Sequence, residues 1–457
     1  MTAIDRLAEF AIKTRLDDCP REGLEQVRRA ALDSLGVMLA GASEPVARIV
    51  REVARVEGGA PLCTVAGTSL RTSPTWASLA NGAAGHAHDF DDTSFALLGH
   101  PSVPLFSALL AAGEAETAHG ALIALGYVIG FEVDAALGTA LNPAHYERGW
   151  HATSTLGTMG CAAAACRVLG LDLGPTREAL GIAASLASGV KENFGSMTKP
   201  YHAGHAARNG VLAAMLAREG MTASAAALDG PQGWFGAAGE RPAAVALDAA
   251  LDGLGHRWHL VETGVAVKPY PSCALTHSAI DAILDLRREH GLRADTIEAI
   301  EVGVNHVTPT VLIHPEPTTA LQRKFSMQYC AAAAAVEGRV DLTSFADGEV
   351  ASQDVRDLMG RVRMVVDRGL PDRFEQHAWS AVTVRLRTGR VLASPARGAR
   401  GHHDQPLPMD ALRDKFLGCA TTAIARDDAE GLAEQLAHLE DVPDIRAVTA
   451  RLAGDIE

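Results

Sequence analysis

The spacing of apolar residues changes twice along this chain, and each change restricts what the flanking segments can become. From the start to about Val267 the apolar positions follow the helical repeat. Ile4, Leu7, Ala8, Ala11 and Ile12 open it, and Leu24, Val27, Ala31, Leu35 and Met38 continue it before Gly41. Residues 155–169 carry small side chains almost throughout, and 209–219 are apolar until Gly220, so both read as helices packed closely inside a bundle. After Lys268 the repeat becomes two. Over 296–304, Ile297, Ala299, Glu301 and Gly303 alternate with Glu298, Ile300, Val302 and Val304, which predicts a strand with those two sets on opposite faces. Further strands are expected at 362–367 and 381–387, the latter turning at Thr388 and Gly389 into a return strand at 390–394. A loop at 395–408 rich in Gly, Pro and His follows, and 409–453 is helical again.

This pattern predicts a mainly α protein: a large all-helical domain built from both ends of the chain (1–266 and 397–457), with a smaller α+β lid domain (267–396) inserted between them. The crevice between the two is the expected ligand site. A length of 457 residues exceeds what one core usually organises, which agrees with two domains. Hydrophobic residues make up 47% and charged residues 21%, a globular composition, and no uninterrupted apolar run is long enough to cross a bilayer. The first 18 residues read as an amphipathic helix bearing Asp5 and Glu9, without the basic front of a signal peptide, so a cytoplasmic location is expected. A net charge of −14 disfavours nucleic acid and anionic membrane as partners, while a small anion can still be met by a few buried cations. The seven cysteines include no CxxC pair and read as reduced core thiols.

The densest polar cluster is NGAAGHAHDFDDT at 81–93, which gathers His86, His88, Asp89, Asp91 and Asp92, with His100 shortly after. Imidazole and carboxylate together can hold a divalent ion. The spacing fits neither HExxH nor an EF-hand loop, and helix capping with solvated carboxylates is the plainer alternative. A second stretch, RGWHATST at 148–155, precedes the small-residue helix. Its Ser and Thr are candidate caps, and the helix N-terminus would favour a carboxylate facing His151. The third and fourth, KPYHAGHAARN from Lys199 and KPYPSC from Lys268, each set a lysine before proline, where elements tend to begin or end. Two cations are what a di- or tricarboxylate needs; His202 and Tyr270 beside them are explained equally well by packing.

HDFDDT with His100 downstream, GWHATSTLGTMGCAAAA, KPYHAGHAARNG, KPYPSC, KFSMQYC at 324–330 and PLPMDALRDKF resemble, in order, the successive signatures of the MmgE/PrpD family. That family includes 2-methylcitrate dehydratases, cis-aconitate decarboxylases and an iminodisuccinate epimerase. The resemblance implies a helical domain with a smaller lid, usually dimeric, and an enzyme using neither metal nor cofactor. It places Asp89, Thr93, His100, His151, Lys199 and Lys268 in the cleft. The implied chemistry is removal of a proton next to a carboxylate of a small polycarboxylate. Asp89, His100, Lys199 and Lys268 are the expected catalytic residues, and Thr93, His151, His202 and Tyr270 the expected substrate contacts. A lyase of the 2-methylcitrate dehydratase kind is the leading expectation, and an epimerase of an imino- or aminodicarboxylate the nearest rival. Cis-aconitate decarboxylase ranks lower, because Cys273 stands where histidine is expected in the decarboxylases and LIHPEP at 312–317 lacks an expected tyrosine. From other classes, a metal-dependent hydrolase would use Asp89, Asp91 and Asp92 as ligands, and a noncatalytic carboxylate-binding protein would bind without turnover.

Overall fold

In the computed structural model, residues 1–239, 244–346, 351–370 and 378–456 are described. The helical part opens with α1 (Ala3–Lys13), α2 (Arg21–Ala40), α3 (Pro45–Glu57) and α4 (Pro74–Gly85), and continues with α5 (Ser102–Glu116), α6 (Gly120–Leu141), α7 (Ala152–Val168), α8 (Leu173–Leu186) and α9 (Thr198–Arg218). α6 is apolar on every side, so no orientation at the surface would hide it, and it lies in the core with Tyr127, Ile129 and Phe131 buried. It is long and apolar enough to cross a membrane by length and composition, although Glu132 and Asp134 interrupt it and its neighbours enclose it. Expectation had found no such uninterrupted run; the length is there, interrupted by two buried carboxylates. All seven cysteines are buried and unpaired.

The small residues read from sequence are where helices touch. A Cβ on Gly82 of α4 would fall 2.5 Å from Cα of Gly204 in α9, and one on Gly204 would fall 2.1 Å from the Leu79 carbonyl. These two backbones therefore meet with nothing between them. The crossing matters for the site, since α4 ends where the polar cluster begins and α9 starts with Lys199. α9 begins eleven residues before the expected start at 209, because Pro200 occupies the first turn, where its missing N–H breaks no helical bond. The Ser and Thr of HATST do not cap α7: His151 is the capping residue and makes no side-chain capping bond, while Thr153, Ser154 and Thr155 lie inside the first turn.

The second apolar cluster belongs to the segment after Lys268. Strands β1 (Ile297–Val304), β2 (Val362–Val366), β3 (Ser380–Leu386) and β4 (Val391–Arg397) form one sheet in the order β2-β1-β3-β4. β1 and β2 are parallel and the other neighbours antiparallel, with Val302 opposite Met364 and Val382. The return strand turns at Gly389, whose φ of +83° suits the glycine that the sequence supplied there. α10 (His277–His290) and α11 (Met327–Glu337) share the buried cluster with this sheet through Ile280, Ile283 and the Ala331–Ala335 run. The expected faces of β1 need one correction: Ile297 is buried with Ile300, Val302 and Val304, because a register shift between Ile297 and Ala299 moves it to their side. The chain then returns to the helical part as α12 (Met409–Ala420) and α13 (Arg426–Ala437); Leu412, Phe416 and Leu432 join the same core as Leu35 and Leu39 of α2.

Because the Gly82–Gly204 crossing leaves no room, Gly204→Ala is expected to lower unfolding stability by ~1–3 kcal/mol, and Gly204→Leu to prevent folding. Urea unfolding followed by circular dichroism measures both. A Gly204→Leu protein with wild-type stability would show that the helices do not approach this closely.

Candidate active site

α4 stops at Gly85, and the six residues after it form a tight turn rather than another helix. Asp89 has φ +52°, a left-handed conformation that non-glycine residues seldom hold without outside support. The support comes from three lysines of three separate segments. Lys324 donates to the Ala87 carbonyl (3.2 Å), Lys268 to that of Asp89 (2.6 Å) and Lys415 to that of Phe90 (2.8 Å). Beyond the turn, Thr93 pairs with Ala266 through both backbone groups, and His100 donates its backbone N–H to Thr153 Oγ1 of α7 (2.9 Å).

The side chains converge as follows. Lys199 Nζ donates to Asp89 Oδ1 (2.6 Å) and to His86 Nε2 (2.8 Å), and Lys268 Nζ lies 3.2 Å from the same Asp89 oxygen. His86 turns its Nδ1 to both oxygens of Asp91, at 2.8 and 2.9 Å. With the proton on Nδ1 facing Asp91, Nε2 is left to accept from Lys199, so one neutral tautomer satisfies every contact. His100 sits between two carboxylates, with Nδ1 3.2 Å from Asp91 and Nε2 3.6 Å from Asp89. His151 Nδ1 is 3.0 Å from His202 Nδ1, so one ring must donate to the other. Phe194 and Phe325 flank the Lys199 ammonium, each ring centroid 5.2 Å away.

These groups open onto a cavity of about 120 Å³. Six of the eight expected residues line it: Asp89, Thr93, His100, His151, Lys199 and Lys268. His202 and Tyr270 do not. His202 stands behind His151, and the Tyr270 hydroxyl donates to Asp281 (2.6 Å) while accepting from Arg400 (2.6 Å), so both support neighbours instead of facing the cavity. The buried hydroxyl of Thr93 has no hydrogen-bond partner among the described residues, which leaves it for a ligand. The lining also includes Leu98, Pro143, Leu275, Val307, Val311 and Cys273.

Sequence reasoning placed His86 and Asp91 in the polar cluster without assigning them to the site, and it gave Lys324 and Lys415 no role. The sequence offered little signal, since Lys415 follows Arg413 and Asp414, Lys324 follows Gln322 and Arg323, and each has only the phenylalanine after it as an adjoining apolar residue. Both side chains are inside the protein.

His86, Asp89, Asp91 and His100 also lie close enough to share a cation. The donor atoms are already committed, however: two ammonium groups sit within 3.2 Å of Asp89 Oδ1, one of them is also bonded to His86 Nε2, and Asp91 is bound to His86. A divalent ion would have to displace lysines, so these residues fit a metal poorly in this arrangement.

The sequence model of the MmgE/PrpD N-terminal domain matches residues 5–244, and that of the MmgE/PrpD C-terminal domain matches 270–441. The chain belongs to the MmgE/PrpD family. It is 32% identical to a cis-aconitate decarboxylase of Mus musculus over 94% of this chain and 89% of the relative, and 30% identical to that of Homo sapiens over 94% and 90%. A cis-aconitate decarboxylase of Aspergillus terreus is 26% identical over 96% of this chain and 93% of its own. This MmgE/PrpD protein is thus an enzyme of the lyase or isomerase type, and the cavity lined by Asp89, His100, Lys199 and Lys268 is its candidate active site.

The charge states in this MmgE/PrpD site follow from burial against neighbours. Burial alone would raise Asp89, but Lys199 and Lys268, then His100 and His86, outweigh it and hold the carboxyl well below its usual range. Asp91 is likewise lowered against burial by His100 and His86. The imidazoles go down: His86 to about 3 by burial with Lys199 adding, and His100 and His151 downward by burial with the lysines adding, Asp91 partly opposing the shift at His100. The Cys273 thiol is pushed up to about 11 by burial and by Asp89, so it is neutral.

His86, His88 and His277 are each lowered to about 3, chiefly by burial, from an ordinary 6.5. At these sites the folded state binds fewer protons than the unfolded chain below about pH 6.5. The buried carboxyls raised by burial, including Glu132, Asp92 and Asp134, act the other way, but the lowered imidazoles, with His100, His145, His151 and His202 among them, outnumber them, so stability is expected to fall as pH drops from about 6.5 toward 3. The lowered Asp89 and Asp91 extend the loss below the ordinary carboxylate range. Urea midpoints measured from pH 7.5 to 4.5 test this, and midpoints that stay level down to pH 5 would contradict it.

Proposed function

We propose that the protein is a lyase acting on a tricarboxylate, and that its reaction is decarboxylation of cis-aconitate or a near relative of it. The observation that carries this reading is the make-up of the cavity lining. Two lysines, His100, His151 and Thr93 supply its cationic and donor groups, and much of the rest is apolar, including Leu98, Leu275, Val307 and Val311. A carboxylate is disfavoured against an apolar wall and neutral CO2 is not, so a substrate arm held there is inclined to leave as CO2. The decarboxylases at 30–32% identity across 94% of the chain support the same reading, and the dehydratase expectation gives way to it.

The step balances as follows. The bond between the CH2 carbon and its carboxylate breaks, CO2 leaves, and the electron pair spreads across the adjacent double bond toward the carboxylate at the far end. That carboxylate becomes a dianionic aci-carboxylate, and charge growing there needs cations already in place. Lys199 and Lys268 each have three N–H groups and use two on protein acceptors, leaving one apiece for the substrate. A proton then forms the C–H bond at the far carbon, giving a methylidene-succinate. With Cys273 a neutral thiol where histidine was expected, delivery falls to His100. Asp89 and Asp91 on either side of it favour the imidazolium that must form first.

In D2O the expected outcome is one equivalent of CO2 and a product carrying one deuterium on the methylene next to a carboxylate, read by NMR. Loss of hydroxide from 2-methylcitrate without CO2 would restore the dehydratase, and deuterium washing into unreacted iminodisuccinate would favour the epimerase.

With turnover established, Lys268→Met and His100→Gln are each expected to lower kcat/KM by about 10²-fold or more, the range for one group that stabilises charge or moves a proton. Dialysis against a chelator is expected to leave turnover unchanged. Loss of activity on chelation, restored by a divalent metal, would instead revive the hydrolase reading.

A further inference from the structure

Lys415, on α12, does not itself line the cavity. Its side chain is 8% exposed, and its ammonium is 2.6 Å from Asp33 Oδ1 on α2. The same ammonium donates to two backbone carbonyls, Phe90 (2.8 Å) and Lys268 (2.9 Å), and lies 3.8 Å from the centroid of the Phe90 ring. Phe90 follows Asp89 in the chain, and Lys268 is the residue whose side chain meets Asp89 from the other side. One cation from the C-terminal helices therefore bridges the two strands of backbone whose separation sets the Asp89–Lys268 contact.

We propose that Lys415 is a positioning residue for the reaction, holding the Asp89 turn and the Lys268 segment at their working separation through the Phe90 and Lys268 carbonyls. Asp33 serves as its counter-ion. Without the lysine, two buried carbonyls would lose a charged donor, the Thr93–Ala266 pair would be left as the backbone-to-backbone link between the two segments, and the Asp89–Lys268 pair would drift. A displacement on the order of 1 Å at a charge-stabilising group costs about 10²-fold in rate. Binding would suffer less, since Lys199 and His151 are held by α9 and the head of α7.

The proposal rests on the reading of the cavity as the active site, and the test separates the two. Asp33→Asn keeps Lys415 and both carbonyl bonds; the double variant Asp33→Asn/Lys415→Met removes the cation without leaving a buried carboxylate unpaired. The single variant is expected to keep kcat within about threefold of wild type, and the double to lose about 100-fold in kcat with KM within about threefold, at a fully folded fraction by circular dichroism. Lys415→Arg, which restores a donor to both carbonyls, is expected to recover at least tenfold over the double variant. Equal kcat in the single and double variants overturns the proposal. So does a loss in the double variant that disappears once rates are divided by the folded fraction, because that is a stability effect only. Should the double variant fail to fold, Lys415→Gln decides: wild-type kcat with unmoved Phe90 and Lys268 carbonyls in its crystal structure overturns the proposal. If the wild-type protein turns over none of the tricarboxylates, the function reading fails alone. Crystal structures of the variants then test the clamp by whether Asp89 leaves its left-handed conformation and its contact with Lys268.

Discussion

A buried carboxylate must be met by positive charge, and Asp89 is met by two lysines at 2.6 and 3.2 Å. Much of the architecture can be read as the means of bringing those lysines there. Lys199 arrives on the first turn of α9, Lys268 on the segment that leads into the lid, and Asp89 itself on a turn that departs from the end of α4. None of the three is close to another in sequence. An arrangement of this kind is a weak source of stability, because desolvating three charges cancels most of their attraction. What it contributes is definition: removing one member leaves an uncompensated charge in a dry place, so conformations lacking the full set are strongly disfavoured.

The close helix packing makes that definition possible. α4 and α9 cross at Gly82 and Gly204 with their backbones in contact, and the crossing fixes the distance from the end of one helix to the start of the other. Gly160 of α7 does the same toward α6, where a Cβ would fall 2.2 Å from Asp134. Larger side chains at these positions would separate the helices and move His151, at the head of α7, and Lys199, at the head of α9. The alanine and glycine content that first suggested a buried bundle is thus also what holds the candidate site at its spacing.

Much of this was legible in sequence, and the parts that were not have physical reasons. Period changes located the strands within a few residues, and the Gly389 turn was read correctly because a left-handed position asks for glycine. The start of α9 was missed because Lys-Pro looks like a boundary, and the face of Ile297 because one irregular residue reverses alternation without a compositional mark. In the site, the family resemblance brought Asp89, His100, Lys199 and Lys268 to the cleft, and all four line the cavity. His202 and Tyr270 lie next to such residues in sequence yet face other partners, since neighbours on a turn or helix point in different directions. Lys324 and Lys415 act on backbone carbonyls, and carbonyls have no letter in a sequence.

The charge balance around the cavity also constrains the order of events. Asp89 and Asp91 are held ionised, opposite Lys199 and Lys268, and the imidazoles of His86, His100 and His151 are pushed toward neutrality by burial. The site is therefore close to neutral before a polyanion enters. A tricarboxylate adds three negative charges to a space that excludes water, and the nearest way to offset them is to protonate an imidazole. His86 is poorly placed for this, with its Nε2 already accepting from Lys199. His100 faces the cavity between two carboxylates, so the arriving anion raises its proton affinity most directly. Binding and arming of the acid are then one process. In the proposed decarboxylation the substrate would supply the charge that loads the proton, and loss of CO2 would remove part of that charge while creating the carbon that takes the proton.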